Sequence, residues 1–127
     1  MALLKPEERF ALAQMCIDLA RATRRGFAPQ EPFGNKMETF YVGLCVLMGH
    51  IEDKPFTVSK LAKYLEAPRT TMVRRLEQLI EFGVVERRGN RYFINEAVAN
   101  TKQAMDLHSA MVRMVKQTAA QLSDADA

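Results

Sequence analysis

The order of helix, turn and glycine signals between Thr57 and Asn95 constrains the fold more than any other feature of this sequence. Thr57 can cap a short helix that ends near Leu65, and the breakers at positions 66–68 predict a tight turn. A second helix is predicted over Arg69–Phe82, and Gly83 follows it where a left-handed residue commonly closes a helix. Two short helices joined by a three-residue turn are therefore predicted.

A small β-hairpin is predicted directly after these helices. Its strands are Val84 to Arg88 and Arg91 to Asn95, and Gly89-Asn90 suits a two-residue loop between them. Tyr92 and Phe93 alternate along the second strand, so we expect one to pack inward and the other to stay half exposed. Helix, turn, helix and hairpin in this order is the winged helix-turn-helix plan.

The segments on either side predict longer helices. We expect helices over residues 5–25, 37–51 and 96–122, with Gly26 ending the first and a frayed polar tail after the last. The first helix is apolar on more than one side, so it must be covered from two directions, either within its own core or by a second subunit. We expect a homodimer, with the following residues at its interface: Phe10, Ile17, Met111, Val115 and Leu122.

The fold class expected is mainly α with a small β-hairpin wing, a winged helix-turn-helix whose flanking helices form a dimer interface. A chain of 127 residues is enough for one domain with a single core. Within that domain, residues 1–56 supply N-terminal helices for dimerisation and core, residues 57–95 the winged helix-turn-helix, and residues 96–127 the C-terminal dimerisation helix and tail.

Positive charge is concentrated in the middle of the chain. The formal net charge is +3, but residues 57–95 alone carry eight basic and four acidic side chains. The basic ones are Lys60, Lys63, Arg69, Arg74, Arg75, Arg87, Arg88 and Arg91. A surplus confined to one segment is expected where that segment faces phosphates, although charged runs are often only a solvated surface.

The second short helix has a polar face that suits DNA bases. With Leu76 at the centre of the buried face, the residues placed opposite to it at 100° per residue are Thr70, Thr71, Arg74 and Gln78. Such side chains can bond base edges, Val73 on the flank can meet a thymine methyl, and Arg69 at the helix start suits a phosphate. The predicted wing contacts to a groove or its phosphates are Arg87, Arg88, Asn90 and Arg91.

The segment Thr57 to Asn95 resembles the winged helix of MarR-like transcriptional regulators. The most specific part is T-M-V-R followed by L-x-x-L-x-x-x-G-V-V-E-R, from Thr71 to Arg87. The resemblance implies a bacterial, cytoplasmic, homodimeric regulator whose recognition helices enter successive major grooves of an inverted-repeat operator. The wing is shorter than in many members and lacks their Asp-x-Arg pattern, so another winged-helix group stays open.

The same resemblance implies a small-molecule effector pocket near Met105, Met111 and Met114, although these methionines can equally fill core and interface. The main alternative function is a winged-helix module that contacts proteins and does not bind DNA.

Other function classes find little support in the sequence. The chain lacks the common phosphate-loop, dinucleotide and nucleophile-elbow motifs, so we expect no catalytic residues and no cofactor. No metal site is expected, because His50 and His108 are far apart and have no cysteine partner nearby. Cys16 and Cys45 are expected to be buried and reduced, although a redox role stays open for Cys16, which has Arg21 nearby. No apolar run approaches the roughly eighteen residues of a membrane span, so we expect no membrane partner.

Overall fold

A computed structural model of the protein describes residues 5–27, 30 and 36–126, and it describes their side chains as far as Leu122. This part of the chain is mainly helical and contains one antiparallel two-stranded hairpin. The elements are α1 (Pro6–Phe27), α2 (Met37–Ile51), α3 (Val58–Leu65), α4 (Arg69–Glu81), β1 (Val85–Arg88), β2 (Arg91–Ile94), α5 (Glu96–Ala99) and α6 (Lys102–Asp126). This layout is compatible with a winged helix.

The chain divides into two compact units. One comprises residues 1–34 and 102–127 and therefore holds α1 and α6, and the other comprises residues 35–101 and holds the remaining elements. The helix α2 was expected to belong with the N-terminal segment, but it is grouped with the helix-turn-helix and hairpin. That the whole chain forms one domain stays a prediction.

In the first unit, α1 packs along α6, and Gly26 lies at a close approach between the two helices. A Cβ at that position would lie 3.2 Å from the Cβ of Leu107. The amide of Gln103 also donates to the Gly26 carbonyl at 2.7 Å. The expectation that Gly26 ends the first helix is therefore wrong: α1 continues to Phe27, and the missing side chain serves a close approach between helices.

The last helix also differs from expectation. The single helix expected over residues 96–122 is broken into α5 and α6 around Asn100 and Thr101. The Asn100 amide donates to the Glu96 carbonyl and the Thr101 hydroxyl to the Val98 carbonyl, both at 2.9 Å. Short polar side chains that bond nearby backbone in this way compete with helix propagation. At the other end, the backbone of α6 stays helical to Asp126, past the start of the expected frayed tail.

The core of the second unit is shared by its helices and its hairpin. The buried apolar side chains are Val42, Cys45, Val46, Val58, Leu61, Met72, Leu76, Leu79, Val85, Tyr92 and Ile94. Tyr92 is buried and Phe93 half-buried, so the alternation expected along the second strand is confirmed. Ile80 of α4 remains 38% exposed.

Both ends of α3 are closed by local hydrogen bonds. The Thr57 hydroxyl caps α3 by accepting from the Lys60 N–H at 3.2 Å, as expected. Glu66 ends α3 in the left-handed conformation, with φ of 54°, and the N–H of Ala67 donates to the Ala62 carbonyl at 3.0 Å. This closure satisfies carbonyls that a helix end leaves free, and it directs the chain into α4.

The hairpin pairs Val85 with Ile94 and Arg88 with Arg91 around a turn in which Gly89 has φ of 63°. In this register the N–H groups of Tyr92 and Ile94 point away from β1. The Tyr92 N–H donates to the Phe56 carbonyl at 3.1 Å, and the Ile94 N–H donates to Nδ1 of His50 at 3.1 Å. The outer edge of β2 is thus bonded by groups that are not part of a third strand.

Candidate nucleic-acid interface

The start of α4 presents two polar side chains away from its packed face. Met72, Leu76 and Leu79 are buried, while Thr70 and Arg74, four residues apart, are exposed. Within the described residues, neither Thr70 nor Arg74 uses its side chain in a hydrogen bond or ion pair. These two predicted contact residues therefore lie on one accessible face of the first two turns.

The other predicted residues of this helix lie in different surroundings. Thr71 and Val73 are half-buried on the flanks of α4, and Arg69 is exposed at its first position. The guanidinium of Arg69 donates to the Ser59 hydroxyl, which links the start of α4 to α3.

Gln78 does not lie on the outer face, contrary to the wheel that placed it with Thr70 and Arg74. Its amide oxygen accepts from the Thr39 hydroxyl at 2.8 Å and from the Arg75 guanidinium at 3.3 Å. Thr39 belongs to α2, which packs against this side of α4. A helical wheel with one buried face does not include the packing of α2 on the flank of α4. The predicted outward position of Gln78 is therefore wrong.

Arg75 is held by the same cluster. Its guanidinium lies 2.9 Å from the Glu38 carboxylate and 3.5 Å from the Thr39 hydroxyl, and its side chain is only 17% exposed. The Arg75 Nε is buried without a partner in the described part of the chain. This arginine belongs to the packing of α2 on α4, so its charge is not offered to a ligand.

The three arginines of the wing differ in their bonding within the described residues. Nε of Arg87 donates to the Gly89 carbonyl at 2.7 Å, at the hairpin's own turn. Arg88 lies 4.4 Å from the centre of the Phe93 ring and 3.3 Å from the Glu86 carboxylate. Asn90 and Arg91 are exposed, and the part of the chain described here gives neither side chain a bonding partner.

The eight cations between residues 57 and 95 differ in their bonding: Arg75 and Arg88 lie in ion pairs, while Arg69 and Arg87 bond neutral groups. Among the described residues, the side chains of four of the eight cations in this segment make no hydrogen bond or ion pair, and all four are exposed. These four are Lys60, Lys63, Arg74 and Arg91. The exposed carboxylates of Glu77 and Glu81 occupy the later turns of α4, where they would repel phosphates.

The residues expected at a dimer interface differ in exposure. Phe10 is 72% exposed, and Ile17 and Val115 are each 50% exposed, on α1 and α6 respectively. Met111 and Leu122 are half-buried within the structure described.

The cysteines occupy opposite environments. Cys45 is buried in α2, and burial raises the pKa of its thiol, which favours the neutral form. Cys16 is exposed on α1, so the expectation that both thiols are buried is wrong for Cys16.

An open cavity of about 370 Å³ lies at the C-terminal half of α1, lined by Ile17, Arg21, Arg24 and Arg25. Met105, Met111 and Met114, expected around an effector, are not among these lining residues, and the effector itself stays a prediction.

Metal-binding clusters and membrane-crossing helices are absent from the described part of the chain. Residues 5–27, 30 and 36–126 contain no cluster of three or more histidine, cysteine or carboxylate side chains that could hold a metal ion. In the same part of the chain, no helix combines the length and apolar content that a membrane crossing requires.

Comparison of the chain with models of protein families and with curated proteins finds no match.

Proposed function

We propose that this chain is a sequence-specific, double-stranded DNA-binding transcriptional regulator of the MarR-like type, which acts as a homodimer on an inverted-repeat operator. The observation that carries the proposal is the pair Thr70 and Arg74, exposed and without side-chain partners within the described residues at the start of α4. Arginine grips guanine bidentately in the major groove, and threonine can bond a base edge or meet a thymine methyl.

The surroundings of this pair support the same reading. Lys60 and Lys63 on α3 and Arg91 on the wing are exposed cations of the same compact unit, suited to phosphates on either side of a groove. Glu77 and Glu81 limit contact to the first two turns of α4, which is the part of a recognition helix that usually meets base edges.

The dimer is supported by the large apolar side chains left exposed on α1 and α6. They are Phe10, Leu12, Ile17, Met105, Val112 and Val115. Large apolar side chains that are exposed on neighbouring helices are often covered by a partner subunit. A two-fold dimer places its recognition helices on half-sites about ten base pairs apart, one turn of the duplex.

The test is selection of bound duplexes from random DNA, followed by fluorescence anisotropy on the selected sequence at low salt. An inverted repeat with half-sites one turn apart is the expected result. Arg74→Ala should weaken binding to that sequence by about tenfold or more, with loss of preference at one base position. Arg113→Ala removes the same charge from an exposed site on α6 and serves as the control. Absence of duplex binding at low salt would refute the proposal.

A second candidate, a protein-contact module without DNA binding, is favoured by one observation. Ile80 and Phe82 are 38% and 51% exposed at the C-terminal end of α4. Large apolar side chains there suit a protein surface better than a phosphate backbone. This candidate predicts a monomer by light scattering together with no enrichment of any duplex.

A further inference from the structure

The His50 side chain closes the outer edge of the wing. His50 lies at the end of α2, and its Nδ1 accepts from the Ile94 N–H of β2 at 3.1 Å. Two residues earlier on the same edge, the Tyr92 N–H donates to the Phe56 carbonyl. An imidazole nitrogen thus occupies the place that a carbonyl of a third strand would have in a larger sheet.

These bonds define which nitrogen carries the proton. Nδ1 can accept from Ile94 only through its lone pair, so the hydrogen of the neutral ring is on Nε2. Nε2 lies 3.1 Å from the Glu96 carboxylate at the start of α5, which accepts that hydrogen. The tautomer follows from the bonding pattern.

The ring is also in contact with the body of the wing. It meets the Phe93 ring edge-on, with 6.0 Å between centres, and the Arg88 guanidinium lies on Phe93 at 4.4 Å from its centre. A chain of contacts therefore runs from α2 to a basic side chain of the hairpin.

We propose that His50 is the positioning residue that holds the wing for DNA contact, and that proton uptake by its imidazole loosens the wing. Imidazolium has a hydrogen on both nitrogens, so it cannot accept from the Ile94 N–H, and two N–H groups would then face each other. Either the ring turns or the edge of β2 moves. The consequence for DNA affinity rests on the proposed function, whereas the effect on the wing does not.

Charged groups near His50 come from α5 and β1. Glu96 from α5 contacts Nε2, and the Arg88 guanidinium of β1 lies on the Phe93 ring that His50 meets edge-on. Asp53, just after α2, reaches the His50 carbonyl through its backbone N–H at 3.3 Å. The attraction of Glu96 keeps the charged ring near α5 but does not restore an acceptor for Ile94.

The test is amide hydrogen exchange by NMR on the full chain without DNA, at about pH 8 and about pH 5.5, which span the usual titration of imidazole. The protection factor of the Ile94 amide should fall about three- to tenfold on acidification, as expected for loss of one hydrogen bond. The Tyr92 amide, bonded to a carbonyl that does not titrate, should keep its protection.

Two variants distinguish protonation of His50 from other effects of low pH. In His50→Asn the amide oxygen can replace Nδ1 as acceptor without titrating, so protection of Ile94 should become independent of pH. His108→Gln removes the other histidine, which is exposed on α6, and should leave the response of the wild type. Equal Ile94 protection at both pH values, or loss of the response in His108→Gln, would overturn the proposal.

Two further measurements complete the test. Imidazole ¹⁵N shifts of the wild type should show the Nε2–H form at high pH, and the Nδ1–H form would overturn the proposal without any variant. Affinity for a selected duplex should fall on acidification more in the wild type than in His50→Asn. If no duplex binds, the proposed function fails, while the exchange data still decide whether His50 holds the wing.

Discussion

Arg74 and Arg75 are adjacent, carry the same charge and have opposite surroundings. The Arg74 side chain is exposed and makes no bond to any described residue, whereas Arg75 lies in the cluster with Glu38 and Gln78. The sequence predicts the outward direction of Arg74, because Leu76 fixes the buried face of α4. It does not predict the role of Arg75 or the turning of Gln78, because both depend on α2, a helix distant in the sequence.

These surroundings predict opposite effects of two neighbouring substitutions. Arg75→Ala should lower the free energy of unfolding by about 1–2 kcal/mol, since it removes the bonds that a largely buried guanidinium makes with Glu38, Thr39 and Gln78. Arg74→Ala should change that free energy by less than about 0.5 kcal/mol, as is usual for an exposed site. Urea denaturation followed by circular dichroism measures both, and equal losses would contradict this assignment of roles.

The two thiols should differ in reactivity. A thiol-specific alkylating reagent should modify Cys16 in the native protein and spare Cys45, which is buried and whose pKa is raised by burial. Mass spectrometry after brief labelling identifies the modified site, and the urea-denatured protein, in which both should react, is the control. Native labelling of Cys45 at the rate of Cys16 would contradict the packing of α2.

At the scale of elements, the boundaries of the short helices follow from local signals, and those of the long ones do not. The Thr57 cap, the turn at residues 66–68 and Gly83 are read directly from residue type. The continuation of α1 through Gly26 requires knowledge of Leu107 across the helix pair. The break after α5 has a local signal, because Asn100 and Thr101 are short polar residues that bond nearby backbone. A prediction from apolar periodicity alone does not take these residues into account.

The closure of α3 gives a test of backbone conformation. Glu66 has φ of 54° and, within the described residues, its side chain makes no hydrogen bond or ion pair. Glu66→Gly should therefore raise the free energy of unfolding by about 0.5–1 kcal/mol, because glycine adopts this conformation without steric cost.

The matched opposite change is Gly83→Ala, at φ of 78° with open space around an added Cβ. It should lower the free energy of unfolding by about 1 kcal/mol through backbone conformation alone. Thermal unfolding measures both variants, and a loss of stability in Glu66→Gly would contradict the argument.

At the scale of the whole molecule, the order of elements was predictable and the division into two units was not. Each element has its own local pattern, but the grouping of α2 with residues 57–101 depends on long-range packing through Val42, Val46 and Thr39. The concentration of charge between residues 57 and 95 was visible in the sequence. Which of those cations make hydrogen bonds or ion pairs can be seen only in the folded structure of α4 and the wing.

The large apolar side chains exposed on α1 and α6 predict self-association. Phe10→Glu or Val115→Glu should shift the protein toward monomer, weakening the dimer about tenfold or more, since each places a charge where an apolar side chain would be buried. Gln117→Glu adds the same charge at another exposed position of α6 and should leave the dimer intact. Sedimentation equilibrium measures the dissociation constant, and a wild-type monomer at micromolar concentration would refute the dimer.

The bonded edge of β2 has a consequence for how copies of this protein meet in solution. An edge strand with unused N–H groups is a template for strand addition, and through it for aggregation. Here the outward N–H groups of Tyr92 and Ile94 are already bonded to Phe56 and His50. The opposite strand ends in a run of exposed charge, Glu86 to Arg88, which discourages pairing of another chain. A hairpin of only two strands is thereby kept from recruiting a third from its neighbours.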